Sequence, residues 1–366
     1  MKRYRAIVLS VVKHGYIAHA VVAHPQFDLV AVTDDSNCPA WVHERNQKFA
    51  EHYHIPYSQD PSSAFEEHDA DVAVISSEAE RHCDLAVRAA EAGLHIIVDK
   101  PMSTTVAECD RLVAAVRENK VQCLVWNRSF LPALLQAREA VERGDLGELK
   151  AIHCDFYFSK DAGPPKGSHG EGEPRIDWLE RQIEAHADGS DGGVGVTPIG
   201  ELQVEGIYPL AYIRMLTGNA RVERVFARTT AHFHQAHVDN AVDDLATVTL
   251  EMADDVVGSV CIGRIGAAAH PDIGEIKLHL IGTEGSLVIS EARPEVAVYY
   301  RDQPEKEFRN NRVAEENNFL LLEDFVRAIE TGVPPMLDAQ GGRDICAIVV
   351  AAVESGRTGN LVEVTY

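Results

Sequence analysis

Basic charge is scarce in this chain of 366 residues: 34 Lys and Arg stand against 57 Asp and Glu, a formal net charge of −23. That speaks against nucleic acid or an anionic membrane surface as the main partner, because both need a basic footprint. Cysteine is sparse too. The seven (Cys38, Cys83, Cys109, Cys123, Cys154, Cys261 and Cys346) are odd in number, and none forms a C-x-x-C pair. A disulfide scaffold or structural zinc is therefore not expected; reduced core thiols are. No apolar stretch approaches the roughly 20 residues of a membrane span. The short apolar run near the start is broken at Lys13 and His14, unlike a signal peptide. A cytoplasmic protein is expected.

What is present is a globular composition, 45% hydrophobic and 25% charged. The length suits two domains, at roughly one per 150 residues. Up to residue 128, apolar runs such as Ala6 to Leu9, Leu29 to Asp35, Val72 to Ser77 and His95 to Pro101 alternate with helical stretches. Strands and helices alternating at this pitch predict an α/β Rossmann domain with a doubly wound parallel sheet over residues 1–128. From 129 to 366 the pattern changes. Helices flank several strand-like runs in succession, from Val222 onward, which predicts an α+β domain with a mainly antiparallel sheet. Within this second part, ahead of those strands, Asp161 to Gly200 is a long polar stretch rich in glycine and proline. A loop of that length is usually functional.

In a dinucleotide fold the first strand-to-helix turn cradles the pyrophosphate, and its glycines allow close backbone approach. Here Ser10 and Val12 stand at the first two G-x-G-x-x-G positions and only Gly15 remains, with Lys13 or His14 as candidate phosphate contacts. Asp34 ends the second strand, 19 residues after Gly15, where an acid contacts the adenosine ribose. Lys100 ends the fifth strand, at the ligand-binding edge of such a sheet. Glu201, Glu205 and Tyr208 share a helix face by their spacing. A tyrosine beside lysine and carboxylate suits proton transfer in carbonyl chemistry, with the lysine lowering the phenol's pKa. His232, His234 and His237 form the densest histidine group, the first two on one strand face, but no metal is expected there.

These residues, with HCDLAVRAAEAGLHIIVDKPMSTTVAECDRLV, LVWNRSF, GELQVEGIYPLAYIRMLTG and IKLHLIGTEGSLVIS, resemble the Gfo/Idh/MocA family of oxidoreductases over nearly the whole chain. The family comprises relatives of glucose–fructose oxidoreductase, inositol dehydrogenase and rhizopine-catabolism proteins. The resemblance implies a large open sheet in the second domain, which commonly forms subunit contacts. It implies hydride transfer between a nicotinamide cofactor and a sugar-like hydroxyl. Lys100 matches the catalytic lysine and Tyr208 the usual histidine acid or base. Asp99 replaces the usual glutamate before the lysine. Ser76, Ser77 and His82 match the nicotinamide-side loop, and Asn127 and Arg128 the segment lining cofactor and substrate. Val204 stands where the family has an aspartate, with Glu205 next to it as a displaced carboxylate.

The expected function is an NAD-dependent oxidoreductase, with NADP as the alternative cofactor, acting on a sugar, polyol or sugar acid. Lys100 and Tyr208 carry the alkoxide and proton roles. Substrate contacts are expected from Arg128, Lys160, Asp177, Trp178 and Glu205. Replacing Lys100 is expected to leave folding intact. A homodimer or homotetramer through the second sheet is expected. The alternatives are an NAD-assisted lyase or hydrolase, and a non-catalytic binding homologue with weakened cofactor affinity.

Overall fold

The structure, a computed structural model, describes residues 2–158, 179, 198–265, 275–290, 295–299, 306–310 and 313–366. In the first half the strands are β1 Tyr4–Leu9, β2 Phe27–Thr33, β3 Tyr57–Ser58, β4 Val72–Ile75, β5 His95–Val98 and β6 Cys123–Val125. The helices between them are α1 Gly15–Ala23, α2 Ala40–Tyr53, α3 Pro61–Glu67, α4 Ala79–Glu91 and α5 Val106–Asn119. All strand pairs are parallel, in the order β3-β2-β1-β4-β5-β6. β4 is buried along its whole length, as a central strand covered by helices on both faces must be. Sequence reading missed α3, whose signal is a cap: Asp60 accepts the Ser63 N–H ahead of Pro61 at the first turn.

Register positions the site. Leu9 pairs with Ile75, Ile75 with Val98, and Val98 with Val125. The residues that follow these partners, Ser10, Ser76, Asp99 and Trp126, therefore lie in one row along the carboxyl edge. Strand order reverses between β1 and β4, and this is where such sheets open a crevice for ligands.

The chain continues through α6 Pro132–Glu142, β7 Leu149–Phe158, α7 Glu201–Glu205, α8 Ile207–Leu216, β8 Val222–Thr230, α9 Gln235–Asp239, β9 Leu245–Met252, β10 Val257–Arg264, β11 Glu275–Gly282 and β12 Ser286–Ser290. Next come β13 Glu295–Tyr299, β14 Lys306–Asn310, α10 Val313–Thr331, α11 Ala339–Thr358 and β15 Val362–Glu363. The second sheet has the order β12-β11-β7-β10-β9-β8-β15. Its pairs are antiparallel except β7 with β10, so it is mixed and mainly antiparallel. β13 and β14 form a separate hairpin-like pair.

The helix expected over Glu201 to Leu216 is broken in two. Gly206 is the hinge, where a Cβ would meet Leu202 O at 2.2 Å. Helices α7, α8 and α11 cover one face of the second sheet. On the other face, pairing aligns Phe226, Thr249, Ser259, His153, His279 and Val288 in one row. Phe226 and Val288, at its ends, are 39% and 64% exposed. Helix α10 returns to the first unit: Leu321, Leu322, Phe325 and Val326 are buried in the cluster that holds Tyr4, Ile17 and Phe27. A cut at residue 128 thus separates strands but not cores. Burying Phe325 there contributes about 2–3 kcal/mol.

Candidate active site

At the end of β1 the backbone keeps the dinucleotide turn without its glycines. Ser10 has φ +66°, the left-handed region that favours glycine, at a cost of about 1–2 kcal/mol. Asn46 braces the turn: its Oδ1 accepts the Val11 N–H at 2.9 Å and its Nδ2 donates to Asp34 Oδ2 at 2.8 Å. Ser76 ties the turn to β4 by accepting the Lys13 N–H (3.1 Å, at its carbonyl) and the His14 N–H (3.0 Å, at Oγ). A Cβ built on Gly15 would meet only Val11 Cβ, at 3.9 Å, among the described residues. The first turn of α1 is therefore open over its N–H groups, which is what a pyrophosphate needs there. The turn fits a dinucleotide. Val12, at the second glycine position, is buried.

Several sequence-chosen residues serve the frame instead of facing the crevice. Asp34 is fully buried. Its Oδ1 accepts from the Asp35 N–H at 2.9 Å, from Cys38 Sγ at 3.3 Å and from Arg81, and its Oδ2 from Asn46. Protein groups thus take both of its oxygens here. Arg81 offsets its charge and also meets Glu78 at 3.2 Å. Burial, then the charge of Asp34, pushes the Cys38 thiol up to about 12.

Asp99 is likewise enclosed: Oδ2 meets His14 Nδ1 at 2.6 Å and Oδ1 accepts the Lys100 N–H at 2.7 Å. Burial opposes its ionisation most, but His14, His82 and Lys100 together outweigh burial, and the carboxyl stays below its ordinary value. His14 is thus committed to Asp99, and burial lowers its own pKa. Burial and then the charge of Lys100 lower Lys13 to about 8. His82 spans Pro101 O (2.7 Å) and Ser77 O (3.0 Å), tying the β4 end to the β5 end. Ser77 Oγ donates to Glu78 O at 3.1 Å. Asn127 donates to Val125 O at 2.8 Å and accepts the Ser129 N–H at 2.9 Å.

The chemistry-bearing groups gather around Lys100, whose side chain is 2% exposed. Its Nζ lies 2.8 Å from Glu205 Oε2 and donates to Val204 O at 3.4 Å. So at the position where the family's aspartate is missing, the backbone carbonyl reaches the lysine, and the neighbouring glutamate supplies the charge. Tyr208 is sandwiched between cations: Lys100 Nζ lies 5.4 Å and Arg128 Cζ 4.9 Å from its ring centroid. Burial pushes the phenol far above its ordinary value; Arg128 opposes this without reversing it. The expectation that Lys100 would lower this pKa is corrected: burial dominates, and the hydroxyl stays protonated.

Two neighbours were not singled out from sequence. Tyr16 lies 5.2 Å from the His14 ring and 6.2 Å from the Trp126 ring. Burial, then proximity to Tyr208, raises its pKa. Arg264, at the end of β10, bonds Glu201 Oε2 through Nε at 2.9 Å and reaches Glu205 Oε1 at 3.4 Å. Its place in the second sheet, where β10 pairs with β7 and β9, brings it here, and no local pattern announces it. Glu201 and Glu205, by contrast, face the same partner as their spacing predicts.

The histidine group is rearranged. β8 ends at Thr230, so His232 and His234 do not share a strand face. The Asp244 carboxylate accepts the N–H groups of His232, Phe233 and His234, which bends the chain into a turn. His234 Nε2 meets Arg264 O at 2.8 Å. No group of three metal-ligating side chains occurs among the described residues. Lys160, Asp177 and Trp178, with most of the loop 161–200, lie outside the described residues.

A parallel nucleotide-type sheet, a strained turn before an open helix start, and a buried lysine with carboxylate and phenol define a dinucleotide-dependent oxidoreductase. The sequence matches the oxidoreductase family with the NAD-binding Rossmann fold, Gfo/Idh/MocA, over residues 13–126, and the family's C-terminal domain over residues 200–288. The chain belongs to the Gfo/Idh/MocA family, and its first domain is an NAD-binding Rossmann fold. It is 32% identical to the uncharacterized oxidoreductase YhhX of Escherichia coli (strain K12), over 28% of this chain and 31% of that protein. It is 22% identical to myo-inositol 2-dehydrogenase of Thermotoga maritima, over 81% of this chain and 80% of that one. Among solved structures it is similar to GenD2 from gentamicin A biosynthesis, in complex with NAD. There the TM-score is 0.78 at 20% identity, covering 100% of this chain and 97% of that one. No helix among the described residues is long and apolar enough to cross a membrane.

Proposed function

We propose that the protein is an NAD-dependent dehydrogenase that oxidises a secondary hydroxyl of a sugar or cyclic polyol. The observation that carries this is the Lys100–Glu205 pair at 2.8 Å, closed over by the Tyr208 ring at the carboxyl edge of β5. The inositol dehydrogenase relative supports the substrate class. When bound, NAD supplies the hydride acceptor. Lys100 donates a hydrogen bond to the reacting oxygen and stabilises negative charge developing there, in a site shielded from water. Glu205 holds the ammonium of Lys100 in place. Tyr208, kept neutral by burial, acts as a hydrogen-bond donor and not as a phenolate base; the proton leaving the substrate hydroxyl passes to Lys100 Nζ as Lys100 hands one of its own to Glu205 Oε2, 2.8 Å away. Arg128 stacks on Tyr208 and adds positive potential over the same space.

The ribose contact proposed for Asp34 requires Arg81 to yield; the remaining dinucleotide contacts proposed are the Ser10 turn and the start of α1. Titration calorimetry with NAD, followed by a screen of inositols, sugars and sugar acids for NADH formation, tests the reading. Binding of NAD with NADH formed from at least one polyol is expected. No NAD binding and no turnover would favour the non-catalytic alternative.

A further inference from the structure

Lys100 belongs to a buried chain of four alternating charges that runs out of the crevice into the second sheet. Lys100 meets Glu205 at 2.8 Å, Glu205 meets Arg264 at 3.4 Å, and Arg264 meets Glu201 at 2.9 Å. The side chains are 2%, 8%, 5% and 0% exposed. Charges this deep need a partner at each step, since an unpaired buried charge is strongly destabilising. The ends differ. Lys100 lies beside Tyr208, whereas Glu201 is sealed in protein, and its Oε1 has no hydrogen-bond partner among the described residues.

Arg264 itself is rigidly held. Its N–H donates to Asp244 O at 2.8 Å and its carbonyl meets His234 Nε2. The adjoining Asp243 fixes the start of α7, accepting the Glu201 N–H at its carbonyl (2.8 Å) and the Leu202 N–H at Oδ2 (2.9 Å). Gly200 packs so tightly there that a Cβ would meet Asp243 Oδ1 at 2.0 Å. Asp243 and Asp244 thus set the distance between α7 and β10, and with it the reach of Arg264 to both glutamates.

We propose that Arg264 is a positioning residue for the reaction: by taking Oε1 of Glu205 it turns Oε2 towards Lys100 and fixes the direction of the lysine's charge. A carboxylate held by one side only would rotate about its terminal bond, and Lys100 would follow it. Glu201 is the counter-charge that keeps Arg264 in the chain. The proposal rests on the dehydrogenase reading for its kinetic consequence, but not for its geometry.

The test uses the full-length protein and a charge-balanced variant. Arg264→Gln alone removes the guanidinium that meets Glu201 at 2.9 Å and one contact of Glu205, and is expected to lower the melting temperature. Arg264→Gln combined with Glu201→Gln removes one charge of each sign and is expected to recover the melting temperature. Turnover in this double variant is expected to fall about 10- to 100-fold, with NAD affinity unchanged, and Arg264→Lys is expected to keep part of the turnover. Full recovery of turnover in the double variant would reduce Arg264 to a structural counter-ion of Glu201. An amine-directed reagent, read by peptide mass spectrometry at Lys100, gives an answer independent of activity. Labelling several-fold faster in the double variant supports the proposal, and an unchanged rate overturns it. If the unmodified protein binds no NAD and oxidises no polyol, the dehydrogenase reading fails, while the labelling comparison still decides the role of Arg264.

Discussion

Lys100→Met removes the ammonium while nearly keeping side-chain length. If Lys100 donates to the oxygen where charge develops, loss of one such preorganised donor costs about 2.7–4 kcal/mol of transition-state stabilisation, a fall of about 100- to 1,000-fold in turnover. The structure adds a second effect. The lysine is buried against Glu205, and breaking a buried pair from one side costs roughly 3–5 kcal/mol of stability. Arg264 still reaches Glu205, which places the cost near or below the lower end, about 2–3 kcal/mol. The sequence-based expectation of an unaffected fold is therefore revised. The two effects separate in Lys100→Met combined with Glu205→Gln, which carries no unpaired charge at this point. Its melting temperature is expected to approach that of the unmodified protein while NADH formation stays depressed and NAD binding by calorimetry is retained. Near-normal NADH formation in a folded Lys100→Met protein would refute the placement of the active site.

Tyr208→Phe is expected to lower turnover about 10-fold; ultraviolet titration of the unmodified protein against this variant is expected to show no Tyr208 phenolate at or below the ordinary value of 10.0. A phenolate appearing below that value would contradict the burial argument. Asp243 is raised by burial to about 6 from 3.8, so its neutral form favours the fold below pH 3.8 and that contribution is lost as pH rises through 6, by up to about 3 kcal/mol. Asp243→Asn is therefore expected to gain stability relative to the unmodified protein as pH rises from 4 to 8, and a pH-independent difference in denaturant unfolding would refute this. The open face of the second sheet is expected to bury Phe226 between subunits. Light scattering at micromolar concentration would show a homodimer or homotetramer that Phe226→Asp weakens, and a monomeric unmodified protein would sink the idea.

Sequence pattern reached the architecture because each element carries its own signal. The four-residue run Val72–Ile75 reads as a strand buried on both faces, and Gly93, at φ +82°, ends α4 as its position suggested. The strand pattern cannot report pairing direction, so the parallel contact of β7 with β10 was not legible. The same limit hid Arg264, which reaches the site through long-range strand pairing with β7 and β9. Commitment of side chains is equally invisible in one dimension. Asp34, Asp99 and His82 occupy the positions the fold assigns to ligand contacts, yet partners from other elements hold them: Arg81 from α4, His14 from the first turn, and the carbonyls of Ser77 and Pro101. Tyr208 shows the electrostatic version of the problem. The expected site placed an activating lysine beside it, but the degree of burial, which decides the sign, exists only in the folded chain.

The resemblance puts an aspartate at Val204, and the sequence offered Glu205 as its displaced counterpart. One step along a regular helix turns a side chain by about 100°, so positions 204 and 205 of α7 point in different directions. Glu205 is the last residue of α7; its extra methylene gives it a longer reach than an aspartate, its Oε2 meets Lys100 at 2.8 Å, and Arg264 holds its second oxygen. The vacated position contributes through its backbone, where Val204 O accepts from the same Lys100 Nζ. The anionic partner of the lysine is thus Glu205, held by a distant arginine. Val204→Asp alone would put a third carboxylate beside Glu205 and Glu201 in a buried space without adding a cation to balance it.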